Sequence, residues 1–230
     1  GFKNVSRKKA ISYESDDLKR RFKFLKNNLK NKNYLDFGTG SGGMLEYTKD
    51  ITKNSYGIEP NKIMLKSMLK SKLNVFESLS SIDKSIKFDV ISLFHVYEHL
   101  IHPINVMNEL KSFSKKSTLF YIEVPHANDF LLSVLNIEKF KKYTLWSEHI
   151  ILHTKKSIKI FLEKSGFKIL KLHDIQRYDF FNHLYWISKG MPNGHKKFQN
   201  FDYKLIKEHY EKFLRKNEFT DTLIAVCKIK

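Results

Sequence analysis

The stretch 33–61 constrains this chain more than any other. Tyr34, Leu35 and Phe37 read as a short buried strand carrying Asp36, and Gly38, Gly40 and Gly42 follow at close spacing, with Gly43 next. A helix is expected from Met44, and 55–58 reads as a second strand ending on Glu59. Strand, glycine turn, helix, strand and acid form a βαβ unit that can cradle an adenosine-bearing ligand. Glycine lets the backbone turn tightly and approach a ligand without a Cβ clash. An acid at the end of the second strand can accept hydrogen bonds from two ribose hydroxyls.

The rest of the chain continues the rhythm. Leu18, Phe22, Leu25 and Leu29 recur at helical spacing, so one amphipathic helix is expected within an N-terminal helical segment, 1–30, as packing or as a lid. Further helices are expected at 62–70, at 104–113 behind Pro103, and at 155–165, stopped by Gly166. Strands are expected at 73–76, 88–94, 118–124, 167–172 and 222–229. Two stretches, 127–153 and 173–221, break the pattern as irregular, aromatic-rich substrate-side insertions. The expected fold is α/β: a Rossmann-like three-layer sandwich on a mostly parallel seven-stranded sheet with an antiparallel final strand, all in one domain, 1–230. Ligands on such a sheet sit beyond the carboxyl ends of the strands. Asp36 to Gly42, Glu59, Ser78, His95 to His99 and Glu123 to His126 all fall there.

Composition narrows the partners. The formal charge is +18, but only Arg7, Arg20, Arg21, Arg177 and Arg215 among the 42 basic residues are arginine. Base reading and bidentate phosphate contacts favour arginine, so the charge weighs against a nucleic-acid partner and suits a phosphorylated or nucleotide-linked small substrate equally well. Cys227, alone in an apolar run, reads as a core residue and allows no internal disulfide, which fits a cytoplasmic location. No stretch has the length and apolarity of a membrane span, and no signal peptide is visible. The sequence opens on Gly1 rather than Met, as a tag remnant or a shortened N-terminus would.

Gly38-x-Gly40-x-x-Gly43 also fits a dinucleotide loop. Asp36 argues against that choice, because a carboxylate two residues before the first glycine would face a pyrophosphate. It suits a ligand carrying ammonium and sulfonium charge. Here the sequence resembles the class I S-adenosylmethionine-dependent methyltransferases, in their small-molecule, sugar- and metabolite-modifying branch. Leu35-Asp36-Phe37-Gly38-Thr39-Gly40-Ser41-Gly42 is similar to that family's first motif, and Gly57-Ile58-Glu59-Pro60 to its ribose motif. Phe88-Asp89-Val90-Ile91 with Val96-Tyr97-Glu98-His99-Leu100 resembles the fourth-strand motif, and the run from His149 through Thr154, Leu162 and Gly166-Phe167 resembles the approach to the sixth strand. The resemblance covers about 30–175 and the last strand. It implies S-adenosyl-L-methionine as cofactor. Asp36 with the Gly38, Thr39, Gly40 and Gly42 backbone would hold its methionine part, and Glu59 and Pro60 would sit at its ribose. Ser78 and Leu79 would lie near adenine, although this loop lacks the acid the family often has there. Phe94 and His95 would line the methyl channel.

Three histidines are candidates for a catalytic base: His95 at the end of the fourth strand, His126 after the fifth, and His149 in the first insertion. Each has a plainer alternative as a wall or packing residue. His95-x-x-Glu98-His99 also matches an inverted zinc-protease pattern. It follows directly on a strand and shows no third ligand, so no metal is assigned; Glu98 and His99 read first as capping the following turn and tying the fourth strand to its neighbours, with an ion held there as the lesser alternative. The aromatic run 178–186 reads as a substrate lid, a packing patch or a homodimer contact. The expected activity is methyl transfer to an oxygen or nitrogen of a small polar metabolite, with a sugar, nucleotide-sugar or capsular polysaccharide precursor as first choice. The alternatives are tRNA or rRNA methylation, C-methylation of a keto sugar, and a non-catalytic S-adenosylmethionine-binding module.

Overall fold

A computed structural model describes residues 5–230. Seven strands form one sheet: β1 (Asn33–Phe37), β2 (Asn54–Ile58), β3 (Asn74–Phe76), β4 (Phe88–Phe94), β5 (Ser114–Pro125), β6 (Phe167–Ile175) and β7 (Thr222–Ile229). Their order is β3-β2-β1-β4-β5-β7-β6, and β7 runs antiparallel to both of its neighbours. The strand order reverses between β1 and β4. That is where a doubly wound sheet opens a crevice at its carboxyl edge.

Residue alternation sorts the side chains between two layers. Leu35, Ile91, Leu93, Phe120, Ile122 and Val124 point to one face. There they meet Met107 and Leu110 of α5 (Pro103–Ser112) and Ile158 and Leu162 of α7 (Lys155–Lys164). Tyr34, Val90, Phe94 and Tyr121 point to the other. They meet Leu18, Leu25 and Leu29 of α2 (Ser15–Leu29), with α3 (Gly43–Thr48) and α4 (Lys62–Lys70) alongside. Asp36, Ser92 and Glu123 share the parity of this second face, so they are aimed at α2.

The N-terminal segment holds two helices rather than the single one expected. α1 (Arg7–Tyr13) precedes α2, with Glu14 between them. The division lets each serve a different target. Arg7 reaches the Ser41 carbonyl and Glu46 beside the glycine loop, while α2 lies along the sheet. Residues 1–4 of the expected segment lie outside the described residues. The two insertions contain helices that their aromatic-rich pattern did not lead one to expect, although much of the first remains irregular. The first contains a π-helical turn, Phe130–Val134, and α6 (Glu138–Thr144). The second contributes residues 173–175 to β6, then α8 (Phe180–Lys189), α9 (Gly194–Lys197) and α10 (Lys204–Lys216). They pack on each other: the Trp186 ring lies 5.1 Å from Phe140 and 5.2 Å from Tyr143. Cys227 is buried on β7. Among the described residues no helix is long and apolar enough to cross a membrane.

Phe120 is fully buried at the centre of the first layer, edge-on to Phe167 at 4.7 Å. Phe120→Ala should therefore cost about 3–5 kcal/mol of unfolding free energy, read from the midpoint of a urea titration with an unchanged slope.

Candidate active site

The glycine loop leaves β1 with Gly38 at φ +76°, and a Cβ there would stand 2.4 Å from Val96 Cγ2. Both the dihedral and the close approach demand glycine. Gly40 also has positive φ, +57°, but nothing lies within 4 Å of the place its Cβ would take. Its surface is open to a ligand. Thr39 and Ser92 each donate a hydroxyl hydrogen to the buried Asp36 carboxylate, at 2.8 and 2.6 Å, and Tyr34 donates to Ser92 at 2.6 Å. Burial raises the Asp36 carboxyl above its ordinary range despite these bonds. Glu59 accepts from Gly40 N–H and Asn61 N–H, each at 2.8 Å, so the acid of β2 folds onto the glycine loop. Burial raises Glu59 as well, with the Asp36 charge adding in the same direction. Two carboxylates that disfavour each other's charge, beside an open glycine, suit a cationic ligand with ribose hydroxyls. Each Glu59 oxygen retains a lone pair for a hydroxyl donor.

Other expected residues stand around this loop. Gly42 caps α3, and Pro60 is exposed ahead of it on the β2–α4 turn. Ser78 bonds Ser80 at 2.7 Å, whereas the Leu79 side chain is buried in the first-layer core. Phe94 is buried under the Arg21 guanidinium, 4.7 Å from its ring.

The strand ends at β4 and β5 hold a dense ionic network. Glu123 is fully buried, and Arg20 and Arg21 both donate to it, the shortest bond being 2.6 Å from Arg21. Burial alone would raise this carboxyl; the Arg21 charge and the His95 and Arg20 bonds instead hold it well below the usual range. Asp17 receives both Arg20 and Arg177. His95, at φ +54°, sits between two acids: Nδ1 is 3.2 Å from Glu98 Oε1 and Nε2 is 3.2 Å from Glu123 Oε1. Arg177 Nη1 lies 3.0 Å from the same Nε2 and can donate to it when that nitrogen is unprotonated. Burial and Arg177 press the imidazole toward neutrality, but the bonds to Glu123 and Glu98 outweigh them and raise its pKa.

His126 and His149 are arranged differently. His126 Nδ1 donates to the Thr220 carbonyl at 2.9 Å, and His149 Nδ1 donates to the Thr144 carbonyl at 2.6 Å. A carbonyl only accepts, so Nε2 carries the free lone pair in both rings. Burial lowers both pKa values, which keeps them neutral and basic. Both line a cavity of about 620 Å³ with His95, Asp129, Tyr143 and Trp146. Burial and the Asp221 charge push Asp129 up to about 7. Asp221 accepts from the backbone N–H groups of Arg177 and Tyr178, which fixes that wall of the cavity.

The structure brings the glycine loop, Asp36, Glu59 and the three candidate histidines to the carboxyl edge of the sheet. Asp17, Arg20, Arg21, Arg177, Asp129 and Asp221 join them there without belonging to any sequence motif. One signal was available: arginine is scarce in this chain, and three of its five arginines converge here.

Residues 8–172 match a family model described as a methyltransferase domain. The chain belongs to that methyltransferase family. It is a methyltransferase. No curated protein gives a match to the sequence. Among solved structures, an S-adenosylmethionine-dependent methyltransferase from Archaeoglobus fulgidus is 19% identical, with a TM-score of 0.59 over 97% of this chain and 94% of that one. Magnesium protoporphyrin IX methyltransferase from Synechocystis PCC 6803, with bound SAH, is 14% identical, with a TM-score of 0.59 over 100% and 90% of the two chains. A cyclopropane synthase from Mycobacterium tuberculosis is 12% identical, with a TM-score of 0.61 over 91% and 83%. The likeness to these three is one of fold.

Two measurements probe this methyltransferase's buried charges. Glu123→Gln leaves Arg21 without its counter-ion and Arg20 with Asp17 alone, and should cost about 3–5 kcal/mol, read by chemical denaturation. His153 is fully buried, and burial lowers its pKa from 6.5 to about 4. The unfolded chain therefore takes up that proton first, and stability present above pH 6.5 is lost as pH falls toward 4. The drop in melting temperature between pH 7 and pH 5 should be smaller in His153→Gln than in the wild type.

Proposed function

We propose that this methyltransferase moves a methyl group from S-adenosylmethionine to a hydroxyl oxygen or an amine nitrogen of a small polar metabolite, and that sugars, nucleotide sugars or capsular polysaccharide precursors are the acceptors to try first. The observation that carries this reading is the cavity at the β4 and β5 ends. Its volume, about 620 Å³, lies within the range of small-molecule sites, and neutral imidazoles line it. When bound, the cofactor supplies an electrophilic methyl on a sulfonium sulfur. Asp36 and the Gly40 backbone hold the cationic end, and Glu59 accepts from the ribose hydroxyls. His126 or His149 would take the acceptor's proton at Nε2 as the acceptor oxygen or nitrogen is methylated. His95, tied to Glu98 and Glu123, positions the wall between the two halves of the site. The high positive charge suits a phosphorylated acceptor.

Asp36→Asn and Glu59→Gln should each weaken S-adenosylhomocysteine binding roughly 10- to 100-fold by calorimetry; unchanged affinity in both would remove the cofactor site from this loop. His126→Gln or His149→Gln should lower turnover about 100-fold or more with cofactor affinity kept. Methyl-labelled cofactor offered with a nucleotide-sugar panel and with bulk RNA separates the substrate classes, and label found in RNA alone would reject the small-molecule reading.

A further inference from the structure

Beside His95, one more group of side chains has unused bonding capacity. Glu98 is fully buried in the turn after β4, and its Oε2 has no hydrogen-bond partner. An unpartnered oxygen on a buried carboxylate is costly unless something positive meets it. His99 and His149 are its neighbours. His99 Nδ1 donates to the Glu148 carbonyl at 2.5 Å, and His149 Nδ1 donates to the Thr144 carbonyl at 2.6 Å. Each ring is thereby fixed with Nε2 unprotonated and free to ligate, the second-sphere arrangement that orients a metal-binding imidazole. The ring centroids are 4.9 Å apart, and His99 Nε2 is 3.9 Å from Glu98 Oε1. One ligand atom from each of Glu98, His99 and His149 lies within 4.8 Å of the other two. The backbone holds the group together, because Ile150 and Ile151 both donate their N–H to the Glu98 carbonyl, at 2.9 and 3.2 Å.

We propose that Glu98, His99 and His149 bind one divalent first-row transition ion, with zinc as the reference case. Two imidazoles and one carboxylate suit such an ion better than magnesium, which prefers oxygen ligands and keeps several waters. Bonds of ~2.0–2.2 Å require the three ligand atoms to draw in by only ~1 Å from their present spacing. Three protein ligands leave at least one position open. Glu98 and His149 line the acceptor cavity, so that position faces the space where the acceptor would sit. There the ion would hold an acceptor oxygen and lower its pKa, a role that rests on the function proposed above with His126 or water taking the proton, because the His149 Nε2 lone pair would be on the ion. His95 would serve as the positioning residue that orients Glu98.

The test uses the full chain after chelator treatment. Calorimetric titration with Zn²⁺ should give one equivalent of saturable binding and raise the melting temperature, and Co²⁺ should give a visible absorption band from a bound site. His99→Ala and His149→Ala, both at partly exposed positions, should each weaken Zn²⁺ at least tenfold. His209→Ala, on the exposed face of α10, should leave the titration unchanged. S-adenosylhomocysteine affinity in the two ligand variants should stay at the wild-type level, which shows them folded with the cofactor site intact. Absence of one-equivalent binding, wild-type Zn²⁺ affinity in His99→Ala or in His149→Ala, or preference for Mg²⁺ would each overturn the proposal. Loss of S-adenosylhomocysteine binding by the wild-type chain would count against the cofactor site alone, and the Zn²⁺ titration would still decide the metal site.

Discussion

A buried carboxylate at the end of β5 holds this structure together at its working edge. Glu123 has no exposed surface, so its charge must be met inside the protein. Arg20 and Arg21 come from α2 and His95 from the end of β4, and Arg20 and Arg177 then share Asp17. One acid thus ties the N-terminal helix, two central strands and the segment after β6 to a single point. The parity of β5 places Glu123 on the α2 face beside Phe94, its register partner across the ladder. The same parity puts Asp36 and Ser92 opposite each other on β1 and β4. The cofactor-side and acceptor-side groups are therefore neighbours by strand register, before any loop is considered.

The loops complete what the register begins. α1 and Glu14 cover the glycine loop through Arg7 and the Ser41 hydroxyl. The two insertions close the other side as one aromatic cap, with Trp186 against Phe140 and Tyr143, and Phe130 stacked on His183. Between cover and cap, the histidines divide by hydrogen bonding alone. Those whose Nδ1 faces a carbonyl keep a free Nε2; His95, set between two acids, does not.

Much of the fold was legible because its signals are local. β4 and β7 have the boundaries expected from their apolar runs, and Pro103 opens α5 as its missing N–H predicts. Other features were not legible. α8 and α10 lie in stretches where lysine, asparagine and aromatic residues blur the helical period, although Ile206, Tyr210, Phe213 and Leu214 do keep it. Glu14 is a poor breaker by type; the separation of α1 from α2 follows from what each helix reaches across the fold. His149 could not be recognised as a neighbour of Glu98, since 50 residues separate it from His99 and the loop is brought back by the Glu98 carbonyl bonds and by the His99 bond to the Glu148 carbonyl.

By itself, the sequence determined the βαβ unit, the placing of Asp36 and Glu59 at strand ends, and the cationic character of the ligand they suit. Those properties depend on backbone geometry and charge within about thirty residues. Tertiary structure decided which arginines neutralise Glu123, which imidazole nitrogens are free, and which distant histidine joins Glu98. Such choices depend on burial and on partners far along the chain, and an unfolded chain meets every charge with water. The glycine loop is thus readable within one short stretch, while the cavity at the β4 and β5 ends takes its chemistry from contacts that exist only when the sheet, α2 and the two insertions are packed together.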